Sequence, residues 1–466
     1  MRLKPQGCYL NNFFANANVN SNIPAIANHF GTKGRYEEVN SYLINDILSV
    51  NKSLLKPGCT NCTAIHVAAI IRHGTRYPST KNIKMMQQLY DLVLNEAMNT
   101  NTWLKDIKTK WEMWYTDDMD GKLVEKGRDD HRHLAVRLAT LFPSLISEEN
   151  LRAHRIRFIT SSKHRCVDSI VAFQEGLLNL WNTMFGLIVF CFCLVAEVRP
   201  SHKINDELMR FFDQCQKFVE DIENNQTALE EVHLFKASAE MKRVQMKMAD
   251  QLQVPYNRIT PDLVEAAFFL CSYEFAIKSL NSAWCNLFDE TDAQVCTQHH
   301  GRVLEYKNDL KQYWKRGYGH DINRKSSCNL FHDLFNRLDQ AILQKSSPHC
   351  AVTIQVGHAE TLLPLLALMG FFRDETALTA DNFDVQNGRT FRTSRIVPYA
   401  ANLLFVLYDC SEGLRLQFLL NETPQNFPDI MHQAPLYDTV RETYRELLHG
   451  CNFEKECELP RPNSEL

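Results

Sequence analysis

Short apolar runs stand near both ends of the chain, and longer helical rhythms fill its middle. The run Ile65-His66-Val67-Ala68-Ala69-Ile70-Ile71 is brief, apolar and β-branched, the pattern of a strand buried on both faces. Residues 155–160, 352–356, 401–407 and 414–421 predict four further strands. Pro78 stands where a helix can begin, and residues 81–98 read as that helix. Residues 167–180 and 361–369 predict helices directly after two of the strands. From 203 to 345 the chain reads as mainly helical, with a 3.6-residue apolar rhythm in 207–222, 261–280 and 330–343. Strands at both ends with helices between them predict one α/β domain interrupted by an α-helical insertion. The expected division is 30–170 with 346–466 for the α/β domain, and 171–345 for the insertion. The Asn-rich residues 1–29 are expected to be a disordered leader.

Composition adds limits. The 466 residues are 45% hydrophobic and 23% charged, an ordinary folded balance. With 51 Lys and Arg against 55 Asp and Glu, the net charge is −4. No global basic field exists to hold nucleic acid, so any anion site must be built locally. Only residues 184–196 (MFGLIVFCFCLVA) tempt a membrane reading, and thirteen residues fall short of the roughly 20 a bilayer needs. No stable membrane span is expected.

Fifteen cysteines is high and odd, so at least one thiol stays free or pairs between chains. Glycosylation triplets at Asn51, Asn61, Asn225 and Asn421 join the cysteines in favouring a secretory lumen. Residues 1–30 lack a signal-peptide core, so the natural start is expected to be missing or different. Asn463-Ser464-Glu465-Leu466 is similar to a degraded KDEL-type retrieval signal, which points to the endoplasmic reticulum lumen or secretion.

The sharpest chemical feature is Arg72-His73-Gly74-Thr75-Arg76-Tyr77-Pro78, directly after the first strand. Ligands bind at the carboxyl ends of strands in open α/β sheets. A neutral imidazole there can attack a phosphoryl group, and the flanking guanidinium forks match phosphate oxygens. Gly74 allows close backbone approach, and the following helix aims its positive end at the same point. His358 and Glu360 stand at a second strand-to-helix junction, where a carboxylic acid could protonate a leaving alkoxide. Lys307, Lys311 and Lys315 recur every four residues, with Arg316 beside them, so a helix would align them. Cys59-x-x-Cys62 lacks a second ligand pair, and His299-His300 reads as a surface loop, so no metal site is expected. No nucleotide fingerprint occurs, and no cofactor is expected.

The heptapeptide resembles the signature of the histidine phosphatase superfamily, in its acid phosphatase and phytase branch. Phe30-Gly31-Thr32-Lys33, Arg35-Tyr36-Glu37, Thr160 to Cys166 (TSSKHRC), Leu208 to Phe212 (LMRFF), Leu310 to Gly319 (LKQYWKRGYG) and Gly357 to Leu363 (GHAETLL) are similar to its inositol polyphosphate members. The resemblance covers about residues 30–460. It implies an α/β/α sandwich domain with an inserted helical domain. It implies His73 as phosphate-accepting nucleophile, with Arg72, Arg76 and Arg165 on the phosphoryl oxygens and His358 as the second pocket histidine. Many phytases carry an acid directly after that histidine. Ala359 stands there, and Glu360 matches the His-Ala-Glu form, which makes Glu360 the expected leaving-group acid. Lys81 and Lys163 are further candidate phosphate contacts, and Lys307, Lys311, Lys315 and Arg316 candidate cleft residues. The implied reaction is hydrolysis of inositol polyphosphates, and of 2,3-bisphosphoglycerate, through a phosphohistidine. A broad-specificity acid phosphatase and an inactive polyphosphate-binding module are the competing readings. The resemblance also implies a Cys62–Cys410 bridge. Cys271 with Cys285 and Cys451 with Cys457 are the other candidate pairs.

Two stretches depart from the family, 184–196 and 295–302 (VCTQHHGR), and both resemble translated intron sequence. Cys191, Cys193 and Cys296 fall in them and are expected to be free. The other twelve are an even number, suited to a lumenal disulfide set.

Overall fold

The computed structural model describes residues 23–55, 61–185, 200–288, 299–344 and 350–459. Its strands are β1 (Thr63–Arg72), β2 (Ile156–Thr160), β3 (Lys203–Ile204), β4 (Val352–Gly357), β5 (Asn402–Cys410), β6 (Gly413–Leu420) and β7 (Thr423–Gln425). They form one mixed sheet in the order β3-β2-β4-β1-β5-β6-β7. β4 lies between β1 and β2 and is parallel to both. β5 runs antiparallel to β1 and to β6.

Both faces of the sheet are covered, which explains why β1 is apolar throughout rather than alternating. Val67, Ala69 and Ile71 join one core, with Leu134 and Leu138 of helix Glu125–Leu141 and Ile170 and Phe173 of helix His164–Phe185. Ala68 and Ile70 join the other, with Met86 and Leu89 of helix Thr80–Glu96 and Leu334 and Leu338 of helix Cys328–Leu343. This second core runs on without a break into helix Pro261–Lys278, helix Ala359–Leu368 and the rest of the helical part. The architecture is therefore the expected α/β fold with a helical insert.

The five anticipated strands form, four of them within two residues of their expected bounds, while β5 runs three residues past its expected end to Cys410. β3 and β7 escaped notice because two or three residues carry no periodicity. The expected helix over 207–222 is broken instead into Asp206–Met209, Phe211–Gln214 and Gln216–Phe218, followed by a wide turn. Arg210 (φ −139°) and Cys215 (ψ 96°) leave helical geometry, and Cys215 is bonded to Cys457. His299 and His300 open the helix His299–Arg316 rather than lying in a loop.

Four disulfides are present among the described residues. Cys62–Cys410 staples the start of β1 to the end of β5, and Cys271–Cys285 closes a short loop, both as expected. Cys451 and Cys457 do not pair with each other. Helix Phe453–Cys457 intervenes between them, and they bond to Cys328 and Cys215 respectively. Cys166 and Cys350 are unbridged, so the twelve remaining cysteines do not all enter bridges. Cys8, Cys59, Cys191, Cys193 and Cys296 lie outside the described residues, as do residues 1–22, 186–199, 289–298 and 460–466. Among the described residues, no helix is long and apolar enough to cross a membrane.

Asn51, Asn61 and Asn225 are exposed. Asn421 is buried, donating to the Arg395 carbonyl at 2.9 Å and accepting from the Asn402 amide at 3.1 Å. Its triplet is structural, because a glycan on that amide would break the β5–β6 corner.

Candidate active site

The register of β1 against β4 sets Arg72 opposite Gly357, so His73 and His358 leave adjacent strand ends side by side. The His73 amide donates to the Gly357 carbonyl at 2.9 Å, and the two imidazoles meet edge to face at 5.7 Å. β2 adds a third end. Thr160 lies opposite Val356, the Ser161 amide donates to the Val356 carbonyl at 3.2 Å, and helix His164–Phe185 then presents Arg165. Three parallel strands thus deliver their loops to one point at the carboxyl edge of the sheet.

The loop after β1 is held rigidly. The Gly74 amide donates to Ser169 Oγ at 3.1 Å, and the Thr75 amide and hydroxyl donate to Asp130 at 3.0 and 2.7 Å. His131 lies 3.0 Å from the Arg72 carbonyl through Nε2. Burial pushes this imidazole down to about 4, so it is neutral and its Nε2–H donates. A Cβ on Gly74 would lie 2.1 Å from the Gly127 carbonyl oxygen, so only glycine lets the loop approach helix Glu125–Leu141 this closely.

His73 is buried, and its Nδ1 lies 2.8 Å from the Gly74 carbonyl. A carbonyl only accepts, so the proton is on Nδ1 and Nε2 keeps its lone pair. Burial, then Arg165, Arg72, His358 and Arg76, hold its pKa well below the usual histidine value. The imidazole is neutral.

Three guanidiniums surround it. Arg72 donates through Nη1 to the Thr32 and Val397 carbonyls at 2.8 and 2.6 Å and lies 4.6 Å over the Tyr399 ring. Arg76 donates through Nη1 to the Tyr77 carbonyl at 2.7 Å and reaches the Tyr273 hydroxyl at 3.5 Å. Arg165 approaches His358 Nδ1 with Nη2 at 3.3 Å. The Nε atoms of all three arginines are buried and have no hydrogen-bond partner among the described residues. Three such donors around one imidazole form a site that an anion would complete.

His358 caps helix Ala359–Leu368, its amide donating to Thr361 Oγ1 at 2.9 Å. Its Nε2 lies 3.0 Å from Ser161 Oγ and 3.5 Å from Cys166 Sγ. Burial and Arg165 push its pKa down to about 3, so this ring is also neutral. Glu360 is the second residue of the same helix. Burial by itself would raise its pKa, but Arg316, His358, the helix-start amide and Arg72 outweigh that and hold it well below the ordinary carboxylate range. Glu360 is therefore ionised in the free protein. Arg316, buried, donates to Glu223 at 2.6 Å and lies between the rings of Phe212 and Phe218 at 5.3 and 4.8 Å.

Arg72, His73, Arg76, Arg165, His358 and Glu360 thus gather at one site, and the field of Arg316 reaches the Glu360 carboxylate. The other lysines divide. Lys307 is buried against Glu265, and Lys315 pairs with Glu223 at 2.5 Å, so the stripe is not an open cationic face. Lys311 is half-buried with no ion-pair partner among the described residues. Lys81 and Lys163 are exposed and make no side-chain hydrogen bond or ion pair among the described residues. A cavity of about 720 Å³ lined by Lys217, Asp221, His320, Lys325 and Glu456 shares no residue with the pocket. No group of three His, Cys, Asp or Glu side chains that could hold a metal ion occurs among the described residues.

Lys33, Ser161, Cys166, Arg210, Tyr273 and Tyr399 carry no role in the sequence reading, although all border the pocket residues. The first four lie inside stretches already singled out, Phe30 to Lys33, TSSKHRC and LMRFF. Tyr273 and Tyr399 offer no local signal, since one is a core-facing helix residue and the other a loop residue brought in by the fold.

Comparison with known proteins agrees with this geometry. The family model described as histidine phosphatase superfamily (branch 2) matches residues 64–421. Multiple inositol polyphosphate phosphatase 1 of Homo sapiens is 45% identical over 461 residues, covering 94% of this chain and 91% of the human one. The protein of the same name from Gallus gallus is 43% identical, covering 94% of each chain. Among solved structures, the phytase from D. castellii superposes with a TM-score of 0.71 at 17% identity, covering 93% of this chain and 87% of that one. The Bifidobacterium longum multiple inositol polyphosphate phosphatase bound to inositol hexasulfate gives 0.64 at 13% identity, covering 86% and 93%. These two likenesses are of fold.

Proposed function

This chain belongs to the histidine phosphatase superfamily (branch 2), and on that premise we propose that it hydrolyses phosphomonoesters of inositol polyphosphates through a phosphohistidine on His73. The observation that carries the reading is the neutral His73, with its Nε2 lone pair open amid three guanidiniums whose Nε donors have no partner among the described residues. Nε2 attacks phosphorus while Arg72, Arg76 and Arg165 hold the non-bridging oxygens and stabilise the charge that builds on them. The P–O ester bond breaks, and Glu360 gives its proton to the departing alkoxide. Water then attacks the phosphohistidine, giving up a proton to the Glu360 carboxylate, and inorganic phosphate leaves with His73 neutral again. The ionised Glu360 of the free protein fits this sequence. A bound polyanion offsets the field of Arg316 and Arg72, which raises the carboxyl pKa at the moment an acid is needed.

The polyphosphate preference rests on the relatives named multiple inositol polyphosphate phosphatase 1 and on cations beyond the three arginines, namely Lys33, Lys311 and Arg316. 2,3-Bisphosphoglycerate is a smaller polyanion that the same pocket would accept. The four disulfides fit an oxidising compartment, the endoplasmic reticulum lumen or the cell exterior. Residues 30–170 with 346–466 are read as the phosphatase domain and 171–345 as the insertion.

The test is phosphate release from inositol hexakisphosphate, 2,3-bisphosphoglycerate and an aryl phosphate by wild type, His73→Ala and Glu360→Gln. Folding of each is checked by circular dichroism. His73→Ala is expected to be inactive on all three. Glu360→Gln is expected to lose inositol hexakisphosphate turnover yet still be phosphorylated by the aryl ester, whose leaving group needs no acid. Full activity in folded His73→Ala would overturn the reading.

A further inference from the structure

Arg72, Arg76 and Arg165 converge on His73, but they are held there by different means. Arg72 is fixed by the Thr32 and Val397 carbonyls at 2.8 and 2.6 Å, and Arg76 by the Tyr77 carbonyl at 2.7 Å. A carbonyl accepts whatever the protonation around it. Among the described residues, the Arg165 side chain makes no ion pair and one hydrogen bond, from Nη2 to His358 Nδ1 at 3.3 Å. Its backbone is secured to the nucleophile loop, since Ser169 Oγ accepts from the Gly74 amide and donates to the Arg165 carbonyl at 2.7 Å. The long side chain beyond keeps its rotamer freedom unless something holds it. The direction of this guanidinium therefore depends on His358 offering a lone pair at Nδ1.

A neutral imidazole has one N–H and one lone pair, and either nitrogen can hold the proton. The surroundings of His358 decide which. Nδ1 is met by Arg165 Nη2, which can only donate. Nε2 is met by Ser161 Oγ at 3.0 Å, with Cys166 Sγ at 3.5 Å. The Cys166 thiol gives its own proton to the Gly357 carbonyl at 3.2 Å, and burial keeps it protonated by pushing its pKa up to about 12. The sulfur thus turns lone pairs, not a proton, toward the ring. Ser161 is itself fully buried and fixed by its amide to the Val356 carbonyl. The proton consequently lies on Nε2, donated to the Ser161 oxygen, and Nδ1 stays bare for Arg165. Without that oxygen, neither placement is satisfied: a proton on Nε2 loses its oxygen acceptor, and one on Nδ1 opposes the guanidinium.

We propose that Ser161 is a positioning residue, which holds the His358 proton on Nε2 so that Nδ1 aims the Arg165 guanidinium at the phosphoryl group. This deepens the phosphatase reading above and rests on it for the identity of the anion. Ser161 touches no reacting atom and acts through two other side chains.

The kinetic test is a double-mutant cycle on kcat/KM for an aryl phosphate, with Ser161→Ala, Arg165→Met and the two together, each checked for folding by circular dichroism. Ser161→Ala alone is expected to lower kcat/KM about tenfold, the size of one lost hydrogen bond. In the Arg165→Met background the same change is expected to cost less than about twofold, because the group it positions is gone. An equal loss in both backgrounds marks a merely structural serine and overturns the proposal, as does wild-type kcat/KM in Ser161→Ala.

A second measurement needs no turnover. Nitrogen-15 NMR of histidine-labelled protein near neutral pH, with the His358 signals identified by their loss in His358→Asn, reports which ring nitrogen carries the proton. The wild type is expected to show a protonated Nε2 and a bare Nδ1, and Ser161→Ala to shift toward a mixture of the two forms. A wild-type proton on Nδ1, or an unchanged pattern in Ser161→Ala, would overturn the proposal whether or not the protein hydrolyses phosphate esters. The expected pattern in a protein that hydrolyses none would uphold the Ser161–His358–Arg165 assignment and overturn only the reaction it serves.

Discussion

Gly74→Ala tests whether the pocket depends on backbone contact rather than on side chains alone. The added Cβ would lie 2.1 Å from the Gly127 carbonyl oxygen, with the Gly127 carbonyl carbon and Cα at 2.7 and 2.8 Å. Ordinary contact begins near 3.4 Å, so the loop or the helix must retreat by about 1.3 Å. Neither can yield by a rotamer change, because the obstacle is helix backbone and the loop is bound to Ser169 and Asp130 on the same side. Overpacking of this kind costs about 1–3 kcal/mol. Displacing His73 by roughly 1 Å from its line of attack costs about a hundredfold in rate. The expected result is a kcat about a hundredfold lower on an aryl phosphate, with a lowered thermal midpoint. Gly127→Ala should behave alike, since its Cβ would meet the Thr75 carbonyl at 2.1 Å. Gly388→Ala, with nothing within 4 Å, is the control and should change neither quantity. Wild-type kcat and midpoint in Gly74→Ala would refute the idea that this contact positions the nucleophile.

Glu265 and Lys307 form a buried pair, so Glu265→Gln strands an ammonium and should cost about 3–5 kcal/mol in urea unfolding at pH 7. The Glu265 carboxyl is held at about 2: burial would raise it, but Lys307 and Lys311 pull it down. Its contribution is complete above the unfolded value of 4.5 and fades as pH falls toward 2, so Glu265→Gln should flatten stability across that window. Cys328→Ser, which removes a buried bridge to Cys451, should lower stability by about 2–5 kcal/mol by calorimetry, in a non-reducing buffer. Arg137→Met leaves Glu422 buried without its three hydrogen bonds from that guanidinium, and should lower the thermal midpoint more than Arg152→Met on the exposed helix end.

The sheet was legible because its strands are apolar on both faces, and the pocket because its residues follow those strands directly. His73, Arg165 and His358 each stand within five residues of a strand end. The lysine stripe was harder to read. Spacing places Lys307, Lys311 and Lys315 on one helix face but cannot show that Glu265 and Glu223 approach that face from other elements. The same limit applies to cysteines: proximity in sequence suggested Cys451 with Cys457, whereas a short helix sends them to Cys328 and Cys215. Lys33 shows the opposite case. It lies far before the strand motif in the chain, and the fold brings that turn to the pocket through bonds such as Arg72 to the Thr32 carbonyl and the Tyr399 amide to the Gly34 carbonyl.

The place of β4 between β1 and β2 governs how the enzyme comes into being. β1 and β2 emerge early yet are never neighbours; the edges they turn toward each other stay unpaired until a strand from far downstream slots between them. Closing that loop is entropically slow, and it completes the two cores at the same step as it brings His358 and Glu360 to His73. On the proposed mechanism, a half-assembled chain would have His73 without Glu360, so turnover would report that the sheet has closed.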